Sequence, residues 1–91
     1  PPIVVNLASQ EYARVVDWSA VQGEIVTPVF KERKGETLRT VGTYAKHARG
    51  RMVRYMLSRG VEDVTKLTQF DWDGYQFDPE RSSATELLFV R

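Results

Sequence analysis

Cysteine is absent from the 91 residues, and histidine occurs once, at position 47. The first absence excludes disulfide staples, thiol nucleophiles and cysteine-based zinc or iron–sulfur sites. It fits a reducing cytoplasm, the expected location, without requiring one. The single His47 leaves a serine–histidine–acid hydrolase one route only. No apolar run approaches the roughly 20 residues of a membrane span, and no membrane partner is expected. A signal-peptide pattern, a glycine-rich phosphate loop and a metal-ligand cluster are also missing from the sequence, and no cofactor is expected.

What is present is ordinary for a soluble α+β chain: 42% hydrophobic and 27% charged residues, with a formal net charge of only +1. The length suits a single domain over residues 1–91 with a modest core. The chain opens Pro1-Pro2-Ile3, without methionine, and enters a strand-like run at once. That reads as part of a longer protein, whose remainder is then the first expected partner.

Residues 3–7 (IVVNL) form a continuous apolar run rich in β-branched side chains, the pattern of a strand buried on both faces. Ser9 suits an N-cap, and a short helix is predicted over residues 10–16. Residues 23–32 (GEIVTPVFKE) and 37–44 (TLRTVGTY) read as two strands of a hairpin joined at Lys34-Gly35, with Pro28 marking an edge or a bulge. A helix is predicted over residues 45–58, with Gly60 just past its end. A shorter helix lies within residues 61–70. Tyr75-Gln76-Phe77 and residues 86–90 (ELLFV) follow as strands. The order β-α-β-β-α-α-β-β predicts an α+β fold: a mixed or mostly antiparallel sheet with helices packed on one side, forming a fragment of a larger fold.

The charge is segregated. Residues 31–59 hold nine Lys or Arg and two acids, whereas residues 60–80 hold one Lys and six acids. The basic half peaks at YAKHARGRMVRYM, residues 44–56. On a helical wheel Ala45, Ala48, Met52, Tyr55 and Met56 share one side. His47, Arg51, Arg54 and Ser58 share the other, which reads either as a solvated face or as a phosphate-attracting one. Arg49 falls within the apolar stripe. A guanidinium there needs a carboxylate, carbonyl groups or a ligand anion. Pairing with a later acid such as Asp71 or Asp73 and binding a phosphate or substrate both remain open.

Other signals are weaker. Leu57, Gly60, Val61 and Leu67 fit a helix-hairpin-helix spacing, but Glu62 stands where a second glycine is usual, and its charge opposes a phosphate. Asp71-Trp72-Asp73-Gly74-Tyr75 starts like a calcium loop and lacks the later ligands, so it reads as an acidic turn. Tyr75 and Phe77 point to one side of a strand, as core residues or as a stacking platform for unpaired bases. Asn6 and Ser9 flank a strand-to-helix turn, a common place for ligand contacts.

Five separated blocks, in order, carry a family resemblance: VVNLASQEY (residues 4–12), TPVFKE (27–32), YAKHARGRMVRY (44–55), FDWDGYQFD (70–78) and the terminal ELLFVR. Together they resemble the carboxy-terminal part of the YaaA family of bacterial peroxide-stress proteins, over all of this chain and roughly the last third of a family protein. The motif positions carried over are Asn6, Ser9, Tyr12, Tyr44, Lys46, Arg49, Gly50, Gly74, Tyr75 and Phe77. The resemblance implies a cytosolic protein of the oxidative stress response. It further implies iron homeostasis, with free iron limited and DNA thereby protected from hydroxyl radicals, and DNA binding through a basic cleft. No catalytic mechanism follows from it.

Joined with the charge pattern, it makes Lys46, Arg49, Arg51 and Arg54 the expected nucleic-acid contacts, with duplex or bulged DNA as the partner. Asn6, Ser9 and Tyr44 are the expected lining of a ligand pocket. An enzymatic alternative groups Asn6, Ser9, Lys46 and Arg49 around a small anionic substrate. A purely structural role, with the charges paired internally, is the third reading.

Overall fold

A computed structural model describes residues 3–8 and 23–91. The strands are β1 (Ile3–Val5), β2 (Glu24–Lys34), β3 (Thr37–Arg39), β4 (Gln76–Phe77) and β5 (Glu86–Val90). The helices are α1 (Gly42–Arg59) and the single-turn α2 (Val64–Leu67), with 3-10 turns at Trp72–Gly74 and Pro79–Arg81. The helix predicted over residues 10–16 lies outside the described residues.

The sheet is mixed and the helices lie on one side of it, as the element pattern predicts. Its order is β1-β2-β5-β4, with β3 paired to β2 off that path. β1 and β5 both run parallel to β2, whereas β3 and β4 are antiparallel to their partners. β1 is the outer strand of this sheet, so residues 3–7 are only half-buried, not buried on both faces as the apolar run predicts.

The long strand β2 organises everything else. Thr27 and Arg33 donate their backbone N–H groups to Thr85 and Arg91, and Lys31 accepts from Arg91. Backbone groups alternate in direction along a strand, so odd positions of β2 serve β5 and even positions serve the opposite edge. On that opposite edge Val26 accepts from Asn6, and β3 pairs from Glu32 to Lys34. Between them, at Pro28 and Phe30, no described strand pairs.

Proline has no N–H to offer there. The predicted strand over residues 37–44 stops at Arg39 and the chain turns into α1 at Gly42, three residues before the predicted start. Continuing the antiparallel register from Arg39↔Glu32 would have brought Thr43 opposite Pro28, where a ladder bond is impossible.

α1 spans 18 residues, about 27 Å. It buries Ala45, Ala48, Met52 and Tyr55 of the stripe read from its 3.6-residue period, and leaves Met56, the fifth member, half-buried. The two alanines let the helix approach β2 closely. Gly60 ends it in the left-handed region, at φ 58°, where a side chain would be strained.

Aromatic rings fill the space between helix and sheet. Phe30 meets Tyr75 at 5.3 Å, Phe89 at 5.4 Å and Phe70 at 5.9 Å between centroids. Tyr55 packs edge-on against Phe70 and Trp72 and donates its hydroxyl hydrogen to the Lys66 carbonyl, tying α1 to α2.

Candidate anion-binding surfaces

The four basic residues expected to act together stand on two different surfaces. Thr43, Lys46, His47, Gly50, Arg51 and Arg54 line an open groove along the solvent side of α1. Gly50 contributes no side chain to it, and a Cβ there would meet nothing within 4 Å. Arg49 lies round the helix, half-buried, and lines a separate and more enclosed cavity of about 260 Å3. A 100° step per residue accounts for the split, since positions 49 and 51 point in widely different directions.

The groove is partly neutralised. Asp73 places Oδ2 at 3.2 Å from Arg51 Nε and 3.8 Å from His47 Nε2. Arg51 also lies over the Trp72 ring, 4.5 Å from its centroid, a cation–π contact that fixes its direction. Lys46 and Arg54 have no ion pair among the described residues. Asp73 adopts φ 59°, and its carbonyl accepts a hydrogen bond from Arg91. The acidic turn thus serves as the counter-charge of the basic helix, and Asp73, one of the two acids considered as a partner for Arg49, pairs with Arg51 instead.

The cavity around Arg49 is built from β2, the start of β5, α1 and the segments that follow β1 and β3. Asn6 follows the β1 positions paired with β2 and donates from its side-chain amide to the Thr27 hydroxyl at 3.2 Å. Thr27 is paired with Glu86 at the start of β5. Paired positions on neighbouring strands share a face, so Asn6, Thr27 and Glu86 form a polar row on the face away from α1. Pro28, Phe30, Ala45 and Arg49 line the cavity from the helix side, and Thr40 from the turn after β3. The cavity therefore wraps around the unpaired edge of β2. Ser9, the other residue expected here, lies outside the described residues. Lys46 lines the groove instead. Tyr44, half-exposed, stacks with Arg91 at 5.2 Å, away from the cavity.

The remaining weak signals resolve as structure. Leu57 is 80% exposed, α2 is a single turn, and its first N–H groups are capped by Asp63, which accepts from Lys66. That is an ordinary helix connection whose own carboxylate occupies the place a phosphate would need. Tyr75 is buried in the core and offers no face to a base, whereas Phe77 is half-buried and packs against Phe89. Among the described residues, no three His, Asp or Glu are grouped to hold a metal ion. Among the described residues, no helix is long and apolar enough to cross a membrane.

Residues 1–81 match the family described as "Peroxide stress protein YaaA". The chain belongs to that family. A UPF0246 protein of Alteromonas mediterranea is 46% identical over 89 residues, covering 98% of this chain and 34% of its own length. A UPF0246 protein of Caulobacter vibrioides is 47% identical over 90 residues, covering 99% and 35%. One from Saccharophagus degradans is 47% identical over 88 residues, covering 97% and 34%. This YaaA-family chain spans about a third of the length of the curated relatives it matches.

Sequence reasoning missed Thr27, Thr40 and Glu86 as cavity residues. Their one advance signal was Pro28: a proline inside a strand marks an edge where no neighbour pairs.

Proposed function

We propose that this chain contributes one basic wall of a nucleic-acid cleft in a peroxide-stress protein that limits free iron and so protects DNA from oxidative damage. The observation that carries the reading is the grouping of Lys46, His47, Arg51 and Arg54 along one open groove on α1. Cationic side chains spaced along a helix match successive phosphates, and each phosphate contact releases counterions. Gly50 lets the backbone of a nucleic acid approach the helix closely. Such contacts hold the duplex without reading its sequence, which suits protection of DNA in general.

Fluorescence anisotropy of the intact protein with duplex and bulged DNA, titrated with salt, tests this. Lys46→Ala with Arg54→Ala is expected to weaken binding and lower the magnitude of the salt slope by about two. Unchanged affinity and slope in the double variant would remove the groove from the DNA contact.

The small-anion alternative rests on a different observation: Asn6 and Arg49 line one cavity. The purely structural alternative rests on the Arg51–Asp73 pair. That pair engages Arg51 and leaves Lys46 and Arg54 for a partner.

A further inference from the structure

The gap in the sheet at Pro28 and Phe30 has the chemistry of a binding site. Strand alternation directs the Pro28 carbonyl and the Phe30 N–H and carbonyl toward this edge, and no described strand takes them up. Backbone groups lying near a core need partners. A docked strand is a poor partner, because Pro28 has no N–H to offer it. A small molecule has no such constraint.

The cavity walls define what it would be. Arg49 brings a cation that is half-buried and forms no ion pair within 4.0 Å among the described residues. Glu86 lines the same cavity without closing on Arg49. The two carbonyls and Glu86 accept hydrogen bonds, whereas Arg49 and the Phe30 N–H donate them, with the Thr40 hydroxyl able to do either. The volume, about 260 Å3, matches on the order of nine waters, the size of an amino acid or a nucleobase.

We propose that this gap binds a small molecule carrying both an anionic group and hydrogen-bond donors, an amino acid or an aminoalkyl phosphate being the simplest form. The carboxylate or phosphate lies on Arg49, and the ammonium meets the edge carbonyls of β2 and Glu86. The site is separate from the groove on α1 and does not depend on DNA binding.

The test is NMR of the isotope-labelled intact protein with four probes: glycine, 2-aminoethyl phosphate, acetate and ethylamine, each at millimolar concentration. A zwitterion is expected to shift the amide resonances of Thr27, Phe30 and Arg49 saturably. Glycine leading marks a carboxylate ligand, and 2-aminoethyl phosphate leading marks a phosphate one; either supports the site. Arg49→Gln is expected to weaken that probe about tenfold or more, the effect of losing one charge-assisted contact. Glu86→Gln is expected to weaken the zwitterions while leaving acetate unaffected. Lys46→Ala with Arg54→Ala leaves probe binding intact, which separates this site from the DNA reading. The proposal is overturned if neither zwitterion shifts these resonances, if Arg49→Gln binds as well as the parent, or if acetate binds as tightly as glycine.

Discussion

The guanidinium of Arg91 lies 4.5 Å from the ring centroid of Tyr75, and the two side chains take opposite oxygens of one carboxylate, Glu32. Arg91 Nε donates to Oε1 at 2.6 Å and the Tyr75 hydroxyl donates to Oε2 at 2.5 Å. The same arginine donates to the Asp73 carbonyl and stacks on Tyr44. One residue just past β5 therefore joins the far end of β2, the acidic turn and the start of α1. This knot sets the position of Asp73, and through Asp73 the free charge of the groove.

Glu32→Ala is expected to destabilise the intact protein by about 3 kcal/mol. It leaves the hydroxyl of a buried tyrosine and a guanidinium without their acceptor. Urea unfolding measures the loss; a change under about 0.5 kcal/mol would mean that solvent replaces the carboxylate freely.

Burial, and then the hydrogen bond to Glu32, hold the Tyr75 hydroxyl well above its ordinary pKa of 10.0. Below pH 10 the residue is neutral in both folded and unfolded chains, and its contribution to stability is complete. Above pH 10 only the unfolded chain releases the proton, so stability falls as pH rises further. Tyr75→Phe is expected to flatten that alkaline decline, measured by denaturant midpoints at pH 8 to 11. A decline of unchanged slope would place its origin in other residues.

Gly50 sits in the interior of α1, and an added Cβ meets no atom within 4 Å. Gly50→Ala is expected to stabilise the protein by about 1 kcal/mol, the usual difference between the two residues in a helix. If nucleic acid approaches the groove closely, DNA affinity falls in the same variant. Gained stability with lost affinity separates a contact role from a folding role, which denaturation and anisotropy on one sample read together.

Asp73→Asn removes the carboxylate that partners Arg51 and His47. Asparagine tolerates the φ of 59° that this position adopts, so the turn keeps its shape. DNA affinity is expected to rise several-fold at low salt, with a steeper salt slope. Weaker binding would show that Asp73 positions Arg51 for contact and does not merely oppose the phosphate.

Much of the architecture was legible from local pattern, and the reason is that the relevant physics is local. The period of α1 put Ala45, Ala48, Met52 and Tyr55 in the core and set Arg49 apart from Arg51. The turn signal at Lys34-Gly35 located the hairpin, and Gly60 the end of the helix. The strand over residues 37–44 was read too long because β-branched Thr40 and Val41 favour extension, while the obstacle, Pro28, lies on the strand opposite.

By itself, then, the sequence determined, among the described residues, roughly where the strands and helices lie, which helix face is buried, and that charge is divided between two regions. Only the tertiary structure decided which charges meet. Glu32 and Arg91 are 59 positions apart, Arg51 and Asp73 are 22 apart, and Asn6, Thr27 and Glu86 come from three distant segments. Periodicity reports the direction of a side chain from its own element; it carries nothing about which distant element lies there. That depends on strand order and register, set here by the pairing of β2 with β1, β3 and β5 and by the one edge position that cannot pair.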